Sequence, residues 1–273
     1  MNRRWPKVLV AVALVALALL TLAPLLWMLS ISFMPTGDAG VWPPRLLPRV
    51  WTAEHYVTLF QRLNVARYVT NSLLLASVVT ILSLGINSMA GYAFAKFRFR
   101  AREPIYRFLL GALVIPAQVA MLPLFLLVKA MGLVNTYVGA MIPGLASVFG
   151  IFLVKQYALS VPDELLDAAR IDGASEWRIY RSIVLPIIRP ILVTLAVFTF
   201  MGTWNDFMWP LIVLSGEQRY TLPVALANLS LEHVQDAELM MSGAVLTVLP
   251  VLVVFIALQR YYMAGITAGA VKG

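Results

Sequence analysis

The sequence predicts an all-α integral membrane protein with six transmembrane helices, and three observations carry that prediction. Of the 273 residues, 61% are hydrophobic and only 12% are charged, with a mean hydropathy of +0.84. A soluble domain of this length needs a largely polar exterior, so this composition indicates a membrane protein. Six long apolar runs follow one another along the chain, and Lys and Arg are unequally distributed among the segments between them.

Each apolar run is long enough to cross a hydrocarbon core of about 30 Å as a helix. The fifth run contains one aspartate, and the fourth is preceded by a turn that Gly132 and Asn135 favour. The predicted spans cover residues 8–33, 68–95, 108–128, 133–154, 191–214 and 239–258.

The first span is the one with an alternative interpretation, because the basic residues before it are also typical of a secretory signal peptide. Its apolar run is longer than the roughly 7–15 residues of a signal h-region. We therefore expect it to be retained as a transmembrane helix.

The positive charges predict the orientation in the membrane, since Lys and Arg concentrate in cytoplasmic loops. Six spans place both termini on one side. Of the 21 Lys and Arg residues, 15 fall on that side and 6 on the other. We expect a multi-pass membrane protein with both termini cytoplasmic. Anionic lipid headgroups then explain the net charge of +8 without any nucleic-acid partner.

The segment between the first two spans, residues 34–67, is predicted to be external. It contains four prolines, after which Thr52 can cap a short helix with an apolar stripe that packs on the bundle. His55 here and His233 in a later external loop lack metal-ligand partners at helical spacing and are interpreted as solvated loop residues.

Several kinds of chemistry are excluded by residues that the sequence lacks. There is no cysteine, which removes disulfides, thiolate metal sites and thiol nucleophiles. There is also no G-x4-G-K-[ST] phosphate loop, so any ATP hydrolysis belongs to another chain. Residues 214–218, L-S-G-E-Q, match the signature sequence of ABC ATPases, but without a phosphate loop we interpret them as a turn.

A polar segment between the fourth and fifth spans predicts a helix-turn-helix projection. Ser160 and Asp163 have the spacing of a capping box, and Pro162 suits a first helical turn. Gly173 can reverse the chain, because it tolerates positive φ. A second helix from Ser175 to Leu185 is expected to end at Pro186. The alternative is a surface hairpin without a partner.

The spacing within this segment resembles the "EAA" loop of membrane-spanning permease subunits of bacterial ABC importers, E-A-A-x3-G-x9-I-x-L-P. Asp167-Ala168-Ala169, then Gly173, then Ile183 and Leu185-Pro186 fit that pattern, with Asp in place of Glu at its first position. The resemblance implies a type I ABC importer permease fold in a bacterial inner membrane.

Further motifs extend the resemblance over nearly the whole chain and are similar to the maltose-type inner subunit of carbohydrate importers. These motifs are Asn71-Ser72 within 56–75, A-G-Y-A-F-A at 90–95, G-L-V-N-T-Y at 132–137, W-N-D-F at 204–207, Y-T-L-P at 220–223 and the terminal 265–273. The family implies an N-terminal tip, first span and external loop in 1–66, a permease core in 67–260 with a coupling loop at 160–190, and a cytoplasmic tail in 261–273.

The resemblance also implies partners. In that family two permease subunits form a heterodimer over two ATPase subunits, which bind ATP and Mg, and an extracytoplasmic solute-binding protein delivers the sugar. The chain itself is then not an enzyme and holds no cofactor or metal. By the same resemblance, Asp167 pairs with a basic residue of the ATPase, although Asp is one methylene shorter than Glu and Glu164 or Asp172 can make that pair instead. The residues that couple to the ATPase are then Glu164, Asp167, Ala168, Ala169, Asp172, Gly173, Ile183, Leu185 and Pro186.

Polar residues inside the spans are predicted to line the substrate pathway. Asp206 would cost about 2.5–3.5 kcal/mol at a helix centre, so it should face the protein interior or a water-filled cavity. Asn and Ser also join helices through hydrogen bonds, and Trp also lies at membrane interfaces, so these functions compete with sugar binding. The residues predicted for the pathway are Asn87, Ser88, Gln118, Trp204, Asn205, Asp206 and Trp209.

The sequence leaves three alternatives open. The transported solute can be a polyol or a glycerol-phosphate-like compound instead of a sugar. The chain can be an ion-coupled secondary carrier, which the scarcity of intramembrane carboxylates disfavours. It can also be a membrane anchor without a pathway, in which case the polar residues of the spans can be substituted without effect.

Overall fold

The computed structural model describes residues 5–232 and 236–270, with side chains for 9–229 and 236–257; His233 and residues 271–273 lie outside the described residues. Within the described residues the chain is helical and has no β-strand. The helices are α1 (Trp5–Ile31), α2 (Glu54–Gln61), α3 (Val65–Lys96), α4 (Arg102–Ala112), α5 (Ala117–Ala130), α6 (Tyr137–Leu145), α7 (Val148–Ala158), α8 (Asp163–Ile171), α9 (Glu176–Ile179), α10 (Leu185–Ile187), α11 (Arg189–Trp204), α12 (Met208–Val213), α13 (Leu222–Glu232) and α14 (Ala237–Ala270).

The predicted all-α membrane fold is confirmed. Four helical segments are long and apolar enough to cross a membrane: Leu9–Ile31, Val65–Lys96, Tyr137–Ala158 and Ala237–Ala257. Two bent pairs of helices are further candidates, Arg102–Ala112 with Ala117–Ala130 and Glu176–Ile187 with Arg189–Trp204. The described residues contain six candidate spans if each pair counts as one.

The predicted third span, 108–128, is not one helix. α4 ends at Ala112, and α5 begins after Pro116 at an angle of 107° to α4. The amides of Leu113, Val114 and Ile115 bond to carbonyls three residues back. Pro116 then has no N–H to continue the helix, which explains the break.

The predicted fifth span, 191–214, is also interrupted. α11 ends at Trp204, and α12 begins at Met208. Between them the Asp206 carboxylate accepts from the Trp209 amide at 3.4 Å. Asn and Asp side chains bond to nearby backbone and so compete with helix continuation, which accounts for this break inside an apolar run.

The turn predicted before the fourth span is confirmed, since Gly132 and Asn135 have φ of 71° and 58°. The span itself has a break between α6 and α7. Ser147 caps α7 by accepting from the Gly150 amide at 3.2 Å, and its own amide donates to Asn87 Oδ1 at 3.0 Å. A side chain on α3 therefore helps to hold the break.

The chain forms two compact units, one of residues up to Arg67 with Ala225–Pro250, the other of Tyr68–Val224 with residues from Val251 onward. The three-part division expected from the sequence, 1–66, 67–260 and 261–273, stays a prediction.

In the first unit, the interpretation of His55 as a solvated residue is wrong. The side chain is only 4% exposed. Its Nε2 lies 2.9 Å from the Met34 carbonyl oxygen, and its Nδ1 lies 3.8 Å from Asp236 Oδ1. The short helix predicted after Thr52 is present as α2, and the Thr52 hydroxyl accepts from the Glu54 amide.

Candidate functional site

The polar segment after α7 forms the predicted helical hairpin, which we call the coupling hairpin and define as residues 160–190. Gly173 adopts a φ of 79° after α8, and Ser175 caps α9 by accepting from the Arg178 amide. The predicted capping box is wrong. Ser160 donates to the Tyr157 carbonyl instead, and Pro162 precedes α8 with extended backbone.

The second helix of the hairpin does not end at Pro186, as the sequence predicts. Glu176–Ile187 is one helix, which then bends by 79° into α11. Its middle, Tyr180–Val184, is π-helical, and the Leu185 amide reaches back five residues to the Tyr180 carbonyl. The wider π turn accommodates a proline that an α-helical interior disfavours.

One side of the coupling hairpin packs into a core of the second unit. Leu166, Ile179, Val184 and Ile188 have at most 1% exposure and pack in one cluster with α3 and α7 residues. Three residues predicted for coupling, Ala169, Ile183 and Leu185, are partly buried against this cluster. The hairpin is therefore anchored through its apolar side.

The opposite side is exposed and unusually apolar for a loop. Ile171 is 86% exposed, Trp177 61% and Leu165 43%. The sequence reasoning did not select Ile171 or Trp177, although a large apolar residue in a charge-rich segment is itself a signal for an interface. The remaining predicted coupling residues are also exposed: Glu164, Asp167, Ala168, Asp172, Gly173 and Pro186.

Ion pairs within the hairpin involve Asp167, which was expected to pair with a basic residue of an ATPase. Arg170 Nη1 lies 2.7 Å from Asp167 Oδ1, and Arg170 Nε lies 2.7 Å from Glu176 Oε1. These hydrogen bonds, first to Glu176 and then to Asp167, raise the pKa of Arg170. Arg170 thus ties the two helices of the hairpin together.

A cavity of about 490 Å³ lies in the second unit beside the interruption between α11 and α12. Four of the predicted pathway residues line it: Gln118, Asn205, Asp206 and Trp209. A neighbouring cavity of about 390 Å³ shares Asp206. Asp206 is the single ionisable residue among those lining either cavity.

Three other predicted pathway residues do not line these cavities. Both atoms of the Asn87 amide are used internally, as Nδ2 donates to Ser83 Oγ at 2.7 Å and Oδ1 accepts from Ser147. Trp204 is fully buried and stacks on Phe200 at 6.2 Å between ring centroids. Ser88 is 2.6 Å from the Tyr180 hydroxyl. Their part in a pathway stays a prediction.

The L-S-G-E-Q segment is a turn, as interpreted from the sequence. Asn135 Oδ1 accepts from the amides of Ser215 and Gly216, and a single 3₁₀ turn follows at Glu217–Arg219. The signature helix of an ATPase is therefore not formed there.

Known proteins resemble the chain in sequence and in fold. The sequence model of the family described as "Binding-protein-dependent transport system inner membrane component" matches residues 87–267. An arabinooligosaccharides transport system permease protein of Halalkalibacterium halodurans is 35% identical over 97% of this chain and 96% of its own length. A lactose transport system permease protein of Rhizobium radiobacter is 34% identical over 100% and 98%.

Among solved structures, a bacterial ABC transporter involved in the import of the acidic polysaccharide alginate has a chain that superposes with a TM-score of 0.82. It is 25% identical, and the match covers 96% of this chain and 99% of that one. The resemblance to ABC importer permeases drawn from the sequence motifs is thereby confirmed. Since the family match covers more than half of the chain and the relatives align over nearly all of it, the chain belongs to the inner membrane components of binding-protein-dependent transport systems.

Proposed function

We propose that this chain is a membrane-spanning permease subunit of an ATP-driven importer that carries a sugar or oligosaccharide into the cytoplasm. The observation that carries the proposal is the near full-length similarity to permeases named for arabinooligosaccharides and lactose. The cavity beside α12 supports it, because amide groups of Gln118 and Asn205 can hydrogen-bond hydroxyls. Asp206 adds an acceptor for the same hydroxyls.

The energy would come from a separate pair of ATPase subunits, which bind ATP and Mg. The exposed face of the coupling hairpin suits such a docking site, because Ile171 and Trp177 present apolar surface and Ala168 allows close approach. Trp is among the residues that commonly dominate the energy of protein interfaces. Because Asp167 already pairs with Arg170, we assign the pairing with a basic ATPase residue to Glu164 or Asp172.

Two further partners follow from the family. A second permease subunit would complete the translocation path, and residues 9–27 of α1 offer it an exposed apolar surface. An extracytoplasmic solute-binding protein would deliver the sugar to the external side. The asymmetry of Lys and Arg supports a cytoplasmic location for both termini and for the coupling hairpin.

Replacement of Gly173 by valine tests the coupling role. A β-branched residue is strained at a φ of 79°, although the space around Gly173 is open. We expect ATP hydrolysis by the assembled importer to continue while sugar uptake is lost. Gly132→Val is the matched control, because Gly132 has a φ of 71°, equally open surroundings and a place on the predicted external side. Normal uptake by the Gly173→Val importer would overturn the assignment.

A second candidate function is favoured only by the position of Asp206 in both cavities. A carboxylate that faces a cavity within the membrane is also found in proton-coupled carriers. Uptake that collapses with an ionophore at constant ATP would support such a carrier. Uptake that persists until ATP is depleted supports the importer.

A further inference from the structure

One face of α3 carries a row of three polar side chains that reach the coupling hairpin. Ser88, Tyr92 and Lys96 are spaced four residues apart and so lie on the same side of the helix. Ser88 Oγ lies 2.6 Å from the Tyr180 hydroxyl, and the Tyr92 hydroxyl donates to Glu176 Oε2 at 3.4 Å.

Lys96 makes the third contact, at the beginning of α8. Its Nζ donates to the Val161 carbonyl at 2.5 Å and to Asp163 Oδ1 at 2.6 Å. The hydrogen bond from Lys96, followed by its charge, lowers the pKa of Asp163. The three contacts thus hold three separate points of the hairpin: the start of α8, the start of α9 and the π-helical turn.

The contacts are shielded from water on the α3 side. Ser88 is 2% exposed, Tyr92 is 3% exposed, and the Lys96 side chain is 7% exposed. A buried polar group that loses its partner bears a desolvation penalty, so a movement that separates these pairs is disfavoured. The hairpin is therefore held to α3 by polar pairs in addition to its apolar packing.

The other part of the same helix reaches the cavity. Asn87 accepts from the Ser147 amide at the break between α6 and α7, and Val79 lines the 490 Å³ cavity. From Val79 to Lys96 the helix is roughly 25 Å long, at 1.5 Å per residue. One continuous helix therefore contacts the hairpin, the break in the fourth span and the cavity wall.

We infer that Ser88, Tyr92 and Lys96 are positioning residues that fasten the coupling hairpin to α3, so that the two move as one body and a displacement of the hairpin reaches the cavity wall. The inference rests on the proposed function, since it requires an ATPase that displaces the hairpin. It concerns the step inside this chain, after an ATPase has docked.

The first test measures sugar transported per ATP hydrolysed by the importer reconstituted in liposomes. We expect Lys96→Met to lower this ratio roughly 5-fold or more, the lower end of typical coupling factors, while ATP hydrolysis continues. Lys96→Arg should restore most of the ratio, because its guanidinium can also donate to Val161 and Asp163. Arg98→Met is the control, because it removes an equal charge from an exposed position two residues away.

An assembled Lys96→Met importer with a wild-type ratio would overturn the inference. If no ATPase co-purifies with the wild-type chain, the proposed function itself fails. That result differs from a wild-type ratio in the assembled Lys96→Met importer, so failure of the inference and failure of the proposed function can be told apart.

A second test uses the wild-type contacts and does not depend on the Lys96 variants. The chain has no cysteine of its own, so spin labels attach only to cysteines that are introduced. We place them at Met89→Cys on α3 and Arg178→Cys on α9, both exposed positions. We expect the same distance distribution between the labels with and without bound ATP, and a broader one when Ser88→Ala and Tyr92→Phe are added. A shift of several ångströms on ATP binding in the wild-type background would overturn the rigid connection.

Discussion

Two asparagines that the sequence predicts for the same pathway have different environments. Asn87 is fully buried, with its amide bonded to Ser83 and to the Ser147 backbone. Asn205 lines the cavity beside α12. A span that is apolar on every side does not show which face a polar residue occupies, so the sequence could not separate a structural asparagine from one that meets the cavity.

Replacement of Asn87 by leucine should therefore act on stability. The change keeps a similar volume but leaves the Ser147 amide and the fully buried Ser83 hydroxyl without their partner, at a cost of about 1–3 kcal/mol for a buried polar group. We expect a lower unfolding temperature of the purified chain in detergent. Gln118→Leu, at an exposed cavity position, should leave that temperature nearly unchanged and reduce uptake. An unfolding temperature of the Asn87→Leu chain equal to that of wild type would contradict the structural role of Asn87.

The bond between Lys96 and Asp163 predicts a pH dependence. Because the hydrogen bond lowers the pKa of Asp163 below its ordinary value of about 3.9, the pair stabilises the folded chain above that pH. The contribution is lost as the pH falls through the lowered value. The difference in unfolding temperature between wild type and Asp163→Asn should thus be present near neutral pH and shrink in acid. A difference that grows on acidification would show that another group is responsible.

At the scale of elements, the sequence predicted which segments cross the membrane better than it predicted their interruptions. A long apolar run predicts a span because apolar side chains are stable in the hydrocarbon core. The span is then helical because lipid requires every backbone group to be bonded within the protein. The breaks depend on a few residues, Pro116 in one span and Asn205 and Asp206 in another. The sequence contains these residues, but the predicted spans run through them without a break. The predicted end at Pro186 failed for a different reason, since a π turn accommodates that proline.

The exposed face of the coupling hairpin gives a prediction about assembly. Ile171 is 86% exposed, so replacing it with glutamate should leave the fold intact while it places a charge in the proposed ATPase interface. We expect loss of the co-purifying ATPase with an unchanged unfolding temperature. Leu166→Ala, at a position with 1% exposure, is the contrasting variant and should lower that temperature. Retention of the ATPase by the Ile171→Glu chain would remove Ile171 from the interface.

At the scale of the whole molecule, the orientation in the membrane rests on charge. The loop between α3 and α4 contains Arg98 and Arg100, Arg102 begins α4, and the coupling hairpin contributes further arginines. Basic residues near the ends of spans stay on the cytoplasmic side, where they also meet anionic headgroups. With six crossings, we expect the termini, this loop and the hairpin to lie on the same side.

Single cysteines provide a direct measurement of that orientation, because the wild-type chain has none and gives no background. We expect a membrane-impermeant thiol reagent to label Arg49→Cys and Arg219→Cys in intact cells, after any outer membrane has been made permeable. Arg98→Cys and Arg178→Cys should react only after the inner membrane is opened. All four positions are exposed in the structure, so a difference in labelling reports the side of the membrane and not burial. The reverse pattern would place the coupling hairpin outside the cell, where no ATP-driven partner could reach it, and would overturn the importer orientation.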